Sequence, residues 1–435
     1  MRTGEPHIAE RHTGADYIGE PHTGEAHAGE AHTGAERIRD PHTGGTAARR
    51  VHLGTAATVA GALVLAGCAG AAPASGPGAD GRPADGDDLT PVTLQLSWVR
   101  QAQFAGYVVA EELGFYADEG LDVTLQEAGT TTVPVEVLAR AGADYAVSPV
   151  PRALGSIEQG ARVTNVAQVF ERSGTVQVTA MGQGIDAPAD LAGKRVGVWG
   201  DGNEWELFAG LQAAGVDVAH DVELVRQAAD LTAFVAGDVD AAQATTYNEV
   251  AQLLETVNPA TGELYQPDEL ETIDWNHTGS AMLQDAIWAD TTRLEDDPAY
   301  EDTTVAFLTA SLKGWVYARD HPEHAAAVVA GSASASGSAL GPSHQYWQTN
   351  EVNRLIWPST RGIGVIDPGD WDSTVETALT TRNPAGDTLL TEAPPASSFT
   401  NRYARVARAN LAEEGLDVMG ESFEPRTIEP TAGGG

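Results

Sequence analysis

The sequence predicts an α/β protein with two lobes, each built on an open and largely parallel β-sheet. Segments with the two-residue alternation of strands and segments with helical spacing follow one another from Val92 to Phe170. A second run of the same kind begins near Thr175, and after about residue 270 the pattern changes to long helices rich in Ala. Alternating strands and helices favour parallel sheets, because each helix returns the chain to the same edge of the sheet.

The first run opens with a strand at 92–97, where apolar and polar residues alternate. Gly114 and Gly120 bracket a turn in this run. The other predicted elements are helices at 104–113, 133–141 and 154–159 and strands at 121–125, 145–147 and 163–170.

The second run supplies the elements of the second lobe. Its predicted strands are 176–180, 195–199, 222–225 and 239–244, and its predicted helices are 187–191, 204–214 and 231–236. The C-terminal part predicts helices at 304–319, 322–330, 344–355 and 402–413, with a Ser- and Gly-rich loop at 331–341. Pro322 suits the first position of a helix.

Composition excludes several classes of protein. Acidic residues number 62 against 25 basic residues, for a formal charge of -37, and such a surface repels phosphate backbones. The single cysteine allows no intrachain disulfide and no Cys-based zinc site. The 435 residues are enough for two to three domains. We therefore expect an acidic protein that binds no nucleic acid.

Residues 1–44 repeat with a period of ten, marked by Thr-Gly from Thr3-Gly4 to Thr43-Gly44. The segment has almost no large apolar residues, so burial cannot offset the entropy of ordering it, and we predict disorder. A metal-binding His tract and a start codon placed too far upstream are the alternatives.

Residues 45–67 have the organisation of a secretory signal peptide. Arg49-Arg50 precedes an apolar run from about Gly54, which ends in Leu65-Ala66-Gly67-Cys68. This ending resembles the bacterial lipobox, and the resemblance implies cleavage before Cys68 and a diacylglycerol anchor on its sulfur. A buried cysteine in an ordinary helix is the alternative, and export by the general or the twin-arginine route stays open. Residues 68–90, rich in Gly, Pro, Ala and Asp, predict a flexible tether.

Ligands of open α/β sheets bind beyond the carboxyl ends of strands, so residues there are candidates for a binding site. Aromatic residues and amides follow the first strand, with Trp98, Gln103, Phe104 and Tyr107 as the candidates. Aromatic rings can stack on a flat ligand, and amides can bond ring nitrogens and carbonyls. Alternatively, Phe104 and Tyr107 form the buried stripe of the first helix.

Polar residues follow several other strands. The further candidates are Thr131 and Ser148 in the first run and Trp199, Glu204, Tyr247, Asn248 and Glu249 in the second. The hydroxyls and free N–H groups at 129–132 could bind an oxyanion, and Glu249 could accept from a ligand amine. Plain helix capping or a surface position is the alternative for each.

Motifs of catalysis are missing from the sequence. There is no G-x-x-x-x-G-K-[ST] and no G-x-S-x-G, and neither a nucleophile triad nor a carboxylate pair stands out. His321 and His324 fit a solvated helix start better than a metal site. We therefore predict a binding protein with no catalytic residues, no metal and no cofactor.

Residues 96–125, LSWVRQAQFAGYVVAEELGFYADEGLDVTL, resemble the opening of solute-binding proteins of bacterial ABC importers. The resemblance is to the thiamine-pyrimidine-precursor group, also described as thiamine pyrimidine synthase-like, near the nitrate, sulfonate and taurine binders. Agreeing stretches include 141–150, 191–202, 242–254, 311–325 and 350–367, so the resemblance spans almost all of 92–430.

The resemblance implies a type II periplasmic-binding-protein fold with a hinge and an interlobe cleft. Lobe 1 would comprise 91–173 and 272–430, and lobe 2 would comprise 174–271. The family's stacking aromatics fall on Trp98 and Tyr107. Its polar ligand contacts fall on Gln103, Ser148, Trp199, Glu204, Tyr247 and Glu249. The related synthases use a Cys-rich iron motif that this chain lacks, which argues against that activity.

The expected function is capture of a small planar heterocycle, similar to a thiamine pyrimidine precursor, for delivery to an ABC permease. Nitrate, sulfonate, taurine or riboflavin are alternative ligands, and a synthase-like enzyme or a membrane-coupled sensor are alternative functions. We expect a monomer that is lipid-anchored at the extracytoplasmic face of the cell membrane.

Overall fold

The computed structural model describes residues 89–200, 202–336 and 340–435. The predicted disordered repeat at 1–44, the signal peptide at 45–67, the anchor residue Cys68 and all but the last two residues of the tether at 68–90 lie outside the described residues. Among the described residues, no helix combines the length and apolar character that crossing a bilayer requires.

In the described part of the chain, ten strands form two five-stranded sheets. They are β1 Thr90–Gln95, β2 Leu121–Gln126, β3 Tyr145–Pro149, β4 Val163–Gln168, β5 Thr175–Ala180, β6 Arg195–Val198, β7 Glu223–Arg226, β8 Ala241–Thr245, β9 Leu270–Asp274 and β10 Asp285–Asp290. The first sheet has the order β2-β1-β3-β10-β4, and the second has the order β7-β6-β8-β5-β9. The two orders match strand for strand, so the lobes share one topology.

Helices surround both sheets. They are α1 Ala105–Glu112, α2 Phe115–Asp118, α3 Pro134–Ala139, α4 Val150–Glu158, α5 Trp205–Ala213, α6 Thr232–Val235, α7 Glu249–Leu254, α8 Trp275–Thr278, α9 Thr291–Asp296, α10 Pro298–Asp320, α11 Pro322–Ser336, α12 Pro342–Ile356, α13 Pro368–Thr380 and α14 Arg402–Glu413. Ala102–Phe104, Pro188–Leu191, Pro267–Glu269, Ala396–Ser398 and Ala432–Gly434 form 3-10 turns.

Each sheet contains one strand that runs antiparallel to both of its neighbours. In the first sheet β10 is antiparallel to β3 and β4, and in the second β5 is antiparallel to β8 and β9. The other four strands of each sheet run in one direction, so the sheets are largely parallel, and the prediction missed the one reversed strand in each. Each antiparallel strand is the first one formed after the chain crosses from one sheet to the other, so it starts at the edge where the parallel strands end.

Strand pairing also bears on the predicted lobe boundaries. The boundary at 173/174 falls just before β5, but the boundary at 271/272 falls inside β9, which pairs with β5 along its length. The chain therefore returns to the first sheet between Asp274 and Asp285.

The prediction also missed β9, β10 and five helices, which are α2, α7, α8, α9 and α13.

Helix α11 continues to Ser336, so the loop predicted to begin at 331 is wrong for 331–336. Serine has only moderate helix propensity, but burial of Ala333 gives this turn a packing contact that the composition does not reveal.

The described residues form three buried clusters. The first lies around the sheet of β1 and contains Phe104, Tyr107 and Trp315, and the third lies behind β5 and β8. The second cluster combines residues of both lobes, including Trp288 of β10 and Trp205 of α5. Helix α13 packs on α4 and on α5, so it joins the lobes on this side.

A close helix crossing fixes the start of the first lobe. A Cβ on Gly314 of α10 would lie 1.9 Å from the backbone oxygen of Gly106 of α1. The two backbones touch only because both positions are glycine. This contact sets the position of α1 and of the turn that precedes it.

Candidate functional site

A cavity of about 310 Å3 lies between the two sheets. The carboxyl ends of the parallel strands and the amino ends of β5 and β10 surround it. Its lining residues are Ser97, Trp98, Gln101, Gln103, Thr130, Pro149, Arg152, Phe170, Gly174, Thr175, Trp199, Asn203, Arg226, Gln227, Ala228, Ala229, Thr245, Tyr247, Asn248, Glu249, Gln284 and Asp285. Both lobes contribute side chains, so the cavity is an interlobe cleft.

Aromatic side chains face the cavity from both lobes. Trp98 follows β1 of the first sheet and Trp199 follows β6 of the second. Tyr247 lies edge-on to Phe170, with the ring centroids 6.1 Å apart. The indole Nε1 of Trp199 is buried and has no hydrogen-bond partner among the described residues. An acceptor atom of a ligand would satisfy this N–H donor. The flat aromatic rings would offer the ligand a surface on which to stack.

Asp285, the first residue of β10, supplies a buried carboxyl group on the side of the first lobe. The side chain of Gln101 donates to Gln103 Oε1 at 2.9 Å, and Gln103 Nε2 donates to Asp285 Oδ2 at 2.8 Å. Asp285 is 3% exposed, and this burial raises the pKa of its carboxyl group to about 6. The group can therefore exist in either protonation state near neutral pH.

Glu249 supplies a second buried carboxyl group from the other lobe. Its Oε2 accepts from the N–H and the hydroxyl of Thr245 at 2.8 and 2.7 Å, and its Oε1 accepts from Asn248 Nδ2 at 2.7 Å. Burial raises the pKa of Glu249, while these three donors favour the ionised form. The donors hold the carboxyl group in one orientation at the cavity wall.

Two guanidinium groups also line the cavity. Arg152 lies on α4 of the first lobe, and Arg226 ends β7 of the second. Arg226 lies over Gly200, where a Cβ would be 2.4 Å from its Nη1, so the glycine leaves room for the side chain. The cavity thus carries charges of both signs.

Glu206 of α5 lies behind the cavity, where the chain crosses between the sheets. Its Oε1 accepts from the backbone N–H of Met282 at 2.7 Å, and its Oε2 accepts from Ser173 Oγ at 3.0 Å. Ser173 belongs to the first crossing segment and Met282 to the return segment. Burial raises the pKa of Glu206 to about 7. The carboxyl group of Glu206 therefore bonds both of the segments that cross between the sheets.

The structure brings six of the eleven predicted ligand contacts to this cavity. They are Trp98, Gln103, Trp199, Tyr247, Asn248 and Glu249. Their common role in binding stays a prediction.

The other five candidates do not line the cavity. Phe104 and Tyr107 lie in the core of the first lobe, where Tyr107 packs edge-on against Trp315 at 5.5 Å. Ser148 is fully buried, and its hydroxyl donates to the backbone oxygen of Pro149 at 3.2 Å. Thr131 is exposed, with Thr130 lining the cavity in its place. Glu204 precedes α5 and accepts from the N–H of Gly202 at 3.1 Å.

Sequence reasoning missed several lining residues. Asp285 and Thr175 begin strands that run antiparallel, and Arg152 lies within a helix. Gln101, by contrast, stands in the same turn as Trp98 and Gln103, so the signal for it was present. Within the part of the chain that the structure describes, no group of three or more His, Cys, Asp or Glu side chains could hold a metal ion.

Fold and cavity together define a two-lobed protein with a cavity of small-molecule size between matching α/β halves. Residues 101–325 match the model of the NMT1/THI5-like family, so the chain belongs to this family.

Two relatives and one solved structure illustrate the relationship. The chain is 28% identical over 250 residues to the formylaminopyrimidine-binding protein of Halalkalibacterium halodurans, covering 55% of this chain and 70% of the relative. It is 25% identical over 126 residues to the 4-amino-5-hydroxymethyl-2-methylpyrimidine phosphate synthase of Legionella pneumophila, covering 29% of this chain and 40% of the relative. The structure of the aliphatic sulphonate binding protein SsuA from Escherichia coli covers 66% of this chain and 90% of that protein, with 16% identity and a TM-score of 0.51. The predicted family resemblance and the predicted periplasmic-binding-protein fold are thereby confirmed.

Proposed function

We propose that this protein is the extracytoplasmic substrate-binding component of an ABC importer, and that it captures an amine-bearing planar heterocycle of the aminopyrimidine class. One observation carries the choice of ligand. Buried carboxyl groups on Asp285 and Glu249 face the same cavity as the aromatic rings of Trp98 and Trp199. The relationship to a formylaminopyrimidine-binding protein points to the same class.

The chemistry of the cavity favours a flat hydrogen-bond donor. Carboxyl groups that lose water on burial need donors, and a buried acceptor left unpaired costs about 1–3 kcal/mol. Glu249 accepts three bonds from Thr245 and Asn248, and Asp285 Oδ2 accepts from Gln103. A ring amine or ring N–H that donates to Asp285 adds a bond to this buried carboxyl group, while Trp98 and Trp199 offer area for stacking.

Binding would couple to closure of the lobes. A ligand that contacts both lobes stabilises the state in which both sets of contacts exist, so the closed state is populated when ligand is present. The closed protein would then dock on a membrane permease and release the ligand to it. In this proposal Cys68 carries the lipid that keeps a monomeric receptor at the outer face of the membrane.

A second candidate is a binding protein for small anions such as sulfonates or nitrate. Arg152 and Arg226 favour it, because both guanidinium groups line the same cavity. An anion would take its bonds from these cations rather than from the carboxyl groups, so the two candidates use different parts of one site.

A ligand screen by thermal shift and calorimetry separates the candidates. The arms are formylaminopyrimidine, 4-amino-5-hydroxymethyl-2-methylpyrimidine, riboflavin, taurine and nitrate. We expect a pyrimidine to raise the melting temperature by mass action. We also expect Asp285→Asn to increase the Kd for this pyrimidine. Exposed Glu376→Gln is the matched control. A response to taurine or nitrate alone selects the second candidate, and turnover of a pyrimidine would overturn the assignment as a binding protein.

A further inference from the structure

A buried histidine reaches from the first lobe into the second beside the ligand cavity. His344 lies in the first turn of α12 and is 0% exposed. Its Nδ1 lies 2.9 Å from Glu255 Oε2, and its Nε2 lies 3.1 Å from Asn248 Oδ1. Glu255 and Asn248 are the residues that flank α7 in the second lobe. One imidazole therefore bonds both ends of a helix in the opposite lobe.

The hydrogen-bond pattern fixes the direction of this network. Asn248 Nδ2 donates to Glu249 Oε1 at 2.7 Å, so Asn248 Oδ1 is the atom that faces His344. An amide oxygen only accepts, so Nε2 of His344 carries a hydrogen. The remaining nitrogen, Nδ1, forms its hydrogen bond with the carboxyl group of Glu255. The chain of bonds thus runs from Glu255 through His344 and Asn248 to Glu249 at the cavity wall.

A glycine-rich segment covers this network. The backbone N–H of Gly433 donates to the backbone oxygen of Glu255 at 3.0 Å. A Cβ on Gly434 would lie 2.9 Å from His344 Cβ and 3.0 Å from Glu255 Oε2, and one on Gly341 would lie 2.2 Å from the backbone oxygen of Gly434. Only glycine fits at positions 341 and 434, where the two backbones meet. The C-terminal segment can therefore lie close enough to His344 and Glu255 to exclude water from them.

We propose that His344 is a positioning residue that sets the orientation of Glu249 and ties it to the relative position of the lobes. The inference deepens the proposed function, since it assigns a control on the same cavity. When the lobes separate, His344 leaves Asn248, and the Asn248 oxygen keeps the bond from Gln252 Nε2 at 3.1 Å. Thr245 holds Glu249 Oε2 in either arrangement, and the contact of α12 with α7 adds a second constraint on the Asn248 amide that donates to Glu249 Oε1.

The first test measures lobe separation without ligand, so it does not depend on the proposed function. Spin labels at Asp302→Cys in α10 and Ala236→Cys beside α6, in a Cys68→Ser background, report the interlobe distance by pulsed electron resonance. Both labelled residues are exposed. We expect His344→Gln to broaden the distance distribution toward longer values. His220→Gln, an exposed histidine 3.0 Å from Asp217, is the control and should leave the distribution unchanged.

The second test measures affinity for formylaminopyrimidine or for whichever probe binds in the ligand screen. We expect His344→Gln to lower the affinity by about tenfold, and we expect the same substitution to have little further effect in an Asn248→Ala background. Such non-additivity shows action through Asn248, which general destabilisation would not produce. Glu255→Gln combined with His344→Gln replaces the pair by two amides and keeps a donor toward Asn248, so it should fold and recover part of the affinity.

The outcomes separate the two proposals. If no probe binds but His344→Gln still shifts the distance distribution, the ligand assignment fails and the interlobe role of His344 stands. If the distribution is unchanged, or if the effects of His344→Gln and Asn248→Ala on affinity simply add, the positioning role is overturned.

Discussion

Replacing Glu206 with glutamine should remove a pH-dependent penalty on folding. Glu206 is 3% exposed, and burial raises the pKa of its carboxyl group from the ordinary 4.5 to about 7. The folded protein therefore binds this proton more tightly than the unfolded chain does. The stabilisation that protonated Glu206 gives the folded protein is fully present below pH 4.5 and is lost as the pH rises through 7.

The magnitude follows from the size of the pKa difference. At about 1.4 kcal/mol for each tenfold change in proton affinity, the pKa of about 7 corresponds to about 3 kcal/mol of unfolding free energy across this pH window. Glutamine has the same shape and cannot ionise. Its oxygen can accept from the Met282 N–H and its amide can donate to Ser173 Oγ, so the hinge bonds survive.

The assay is urea denaturation of the wild type and of Glu206→Gln at several pH values between 5 and 8. We expect the unfolding free energy of the wild type to fall by about 2–3 kcal/mol more than that of the variant over this range. Asp285 and Glu171, whose pKa values burial raises to about 6 and about 7, add a decline of the same sign to both proteins. The difference between the two curves isolates Glu206. Parallel curves would refute the reasoning, and exposed Glu376→Gln serves as the reference.

Three further predictions concern the cavity and the core. Trp98→Ala should weaken binding of a planar ligand by about 1–3 kcal/mol in calorimetry, and an unchanged Kd would remove Trp98 from the site. Affinity for a neutral amine-bearing pyrimidine should rise between pH 5 and 7 as Asp285, with its pKa of about 6, becomes a carboxylate acceptor, and Asp285→Asn should abolish this rise. Gly314→Ala should destabilise the fold by about 1–3 kcal/mol or more in thermal melts, because its Cβ would meet the backbone of Gly106 at 1.9 Å. Gly331→Ala, in α11 with no atom within 4 Å of the new Cβ, should be neutral or stabilising, and equal effects of the two substitutions would contradict the packing argument.

Residues that follow strands line the cavity where the strands are parallel. Trp98, Trp199 and Tyr247 follow β1, β6 and β8, whose carboxyl ends meet at the cavity. Asp285 and Thr175 also line the cavity, but they begin β10 and β5. A period of two reveals a strand but not its direction, so the sequence could not show that these strands present their amino ends to the ligand.

Helix register explains the other errors. Phe104 and Tyr107 stand near Trp98 in the sequence, yet both are buried in the core of the first lobe. The contact of Gly106 with Gly314 turns that face of α1 toward α10, and this contact joins residues about two hundred positions apart. Local periodicity identified a helix with an apolar stripe there, but only the tertiary contact decides whether the stripe faces ligand or core.

The direction of β5 and β10 also accounts for the chemistry of the cleft. β5 and β10 start at the edge of their sheet that faces the other lobe. Their first residues, and the crossing segments before them, therefore lie between the two lobes. Asp285 begins β10, and Glu206 bonds the two crossing segments, so buried carboxyl groups gather where the lobes meet. In the proposed closure, water leaves Asp285, and the energy of this carboxyl group rises unless a donor replaces that water. On this proposal the empty closed state is disfavoured, and a ligand with N–H donors stabilises the closed state more than an apolar molecule of the same shape would.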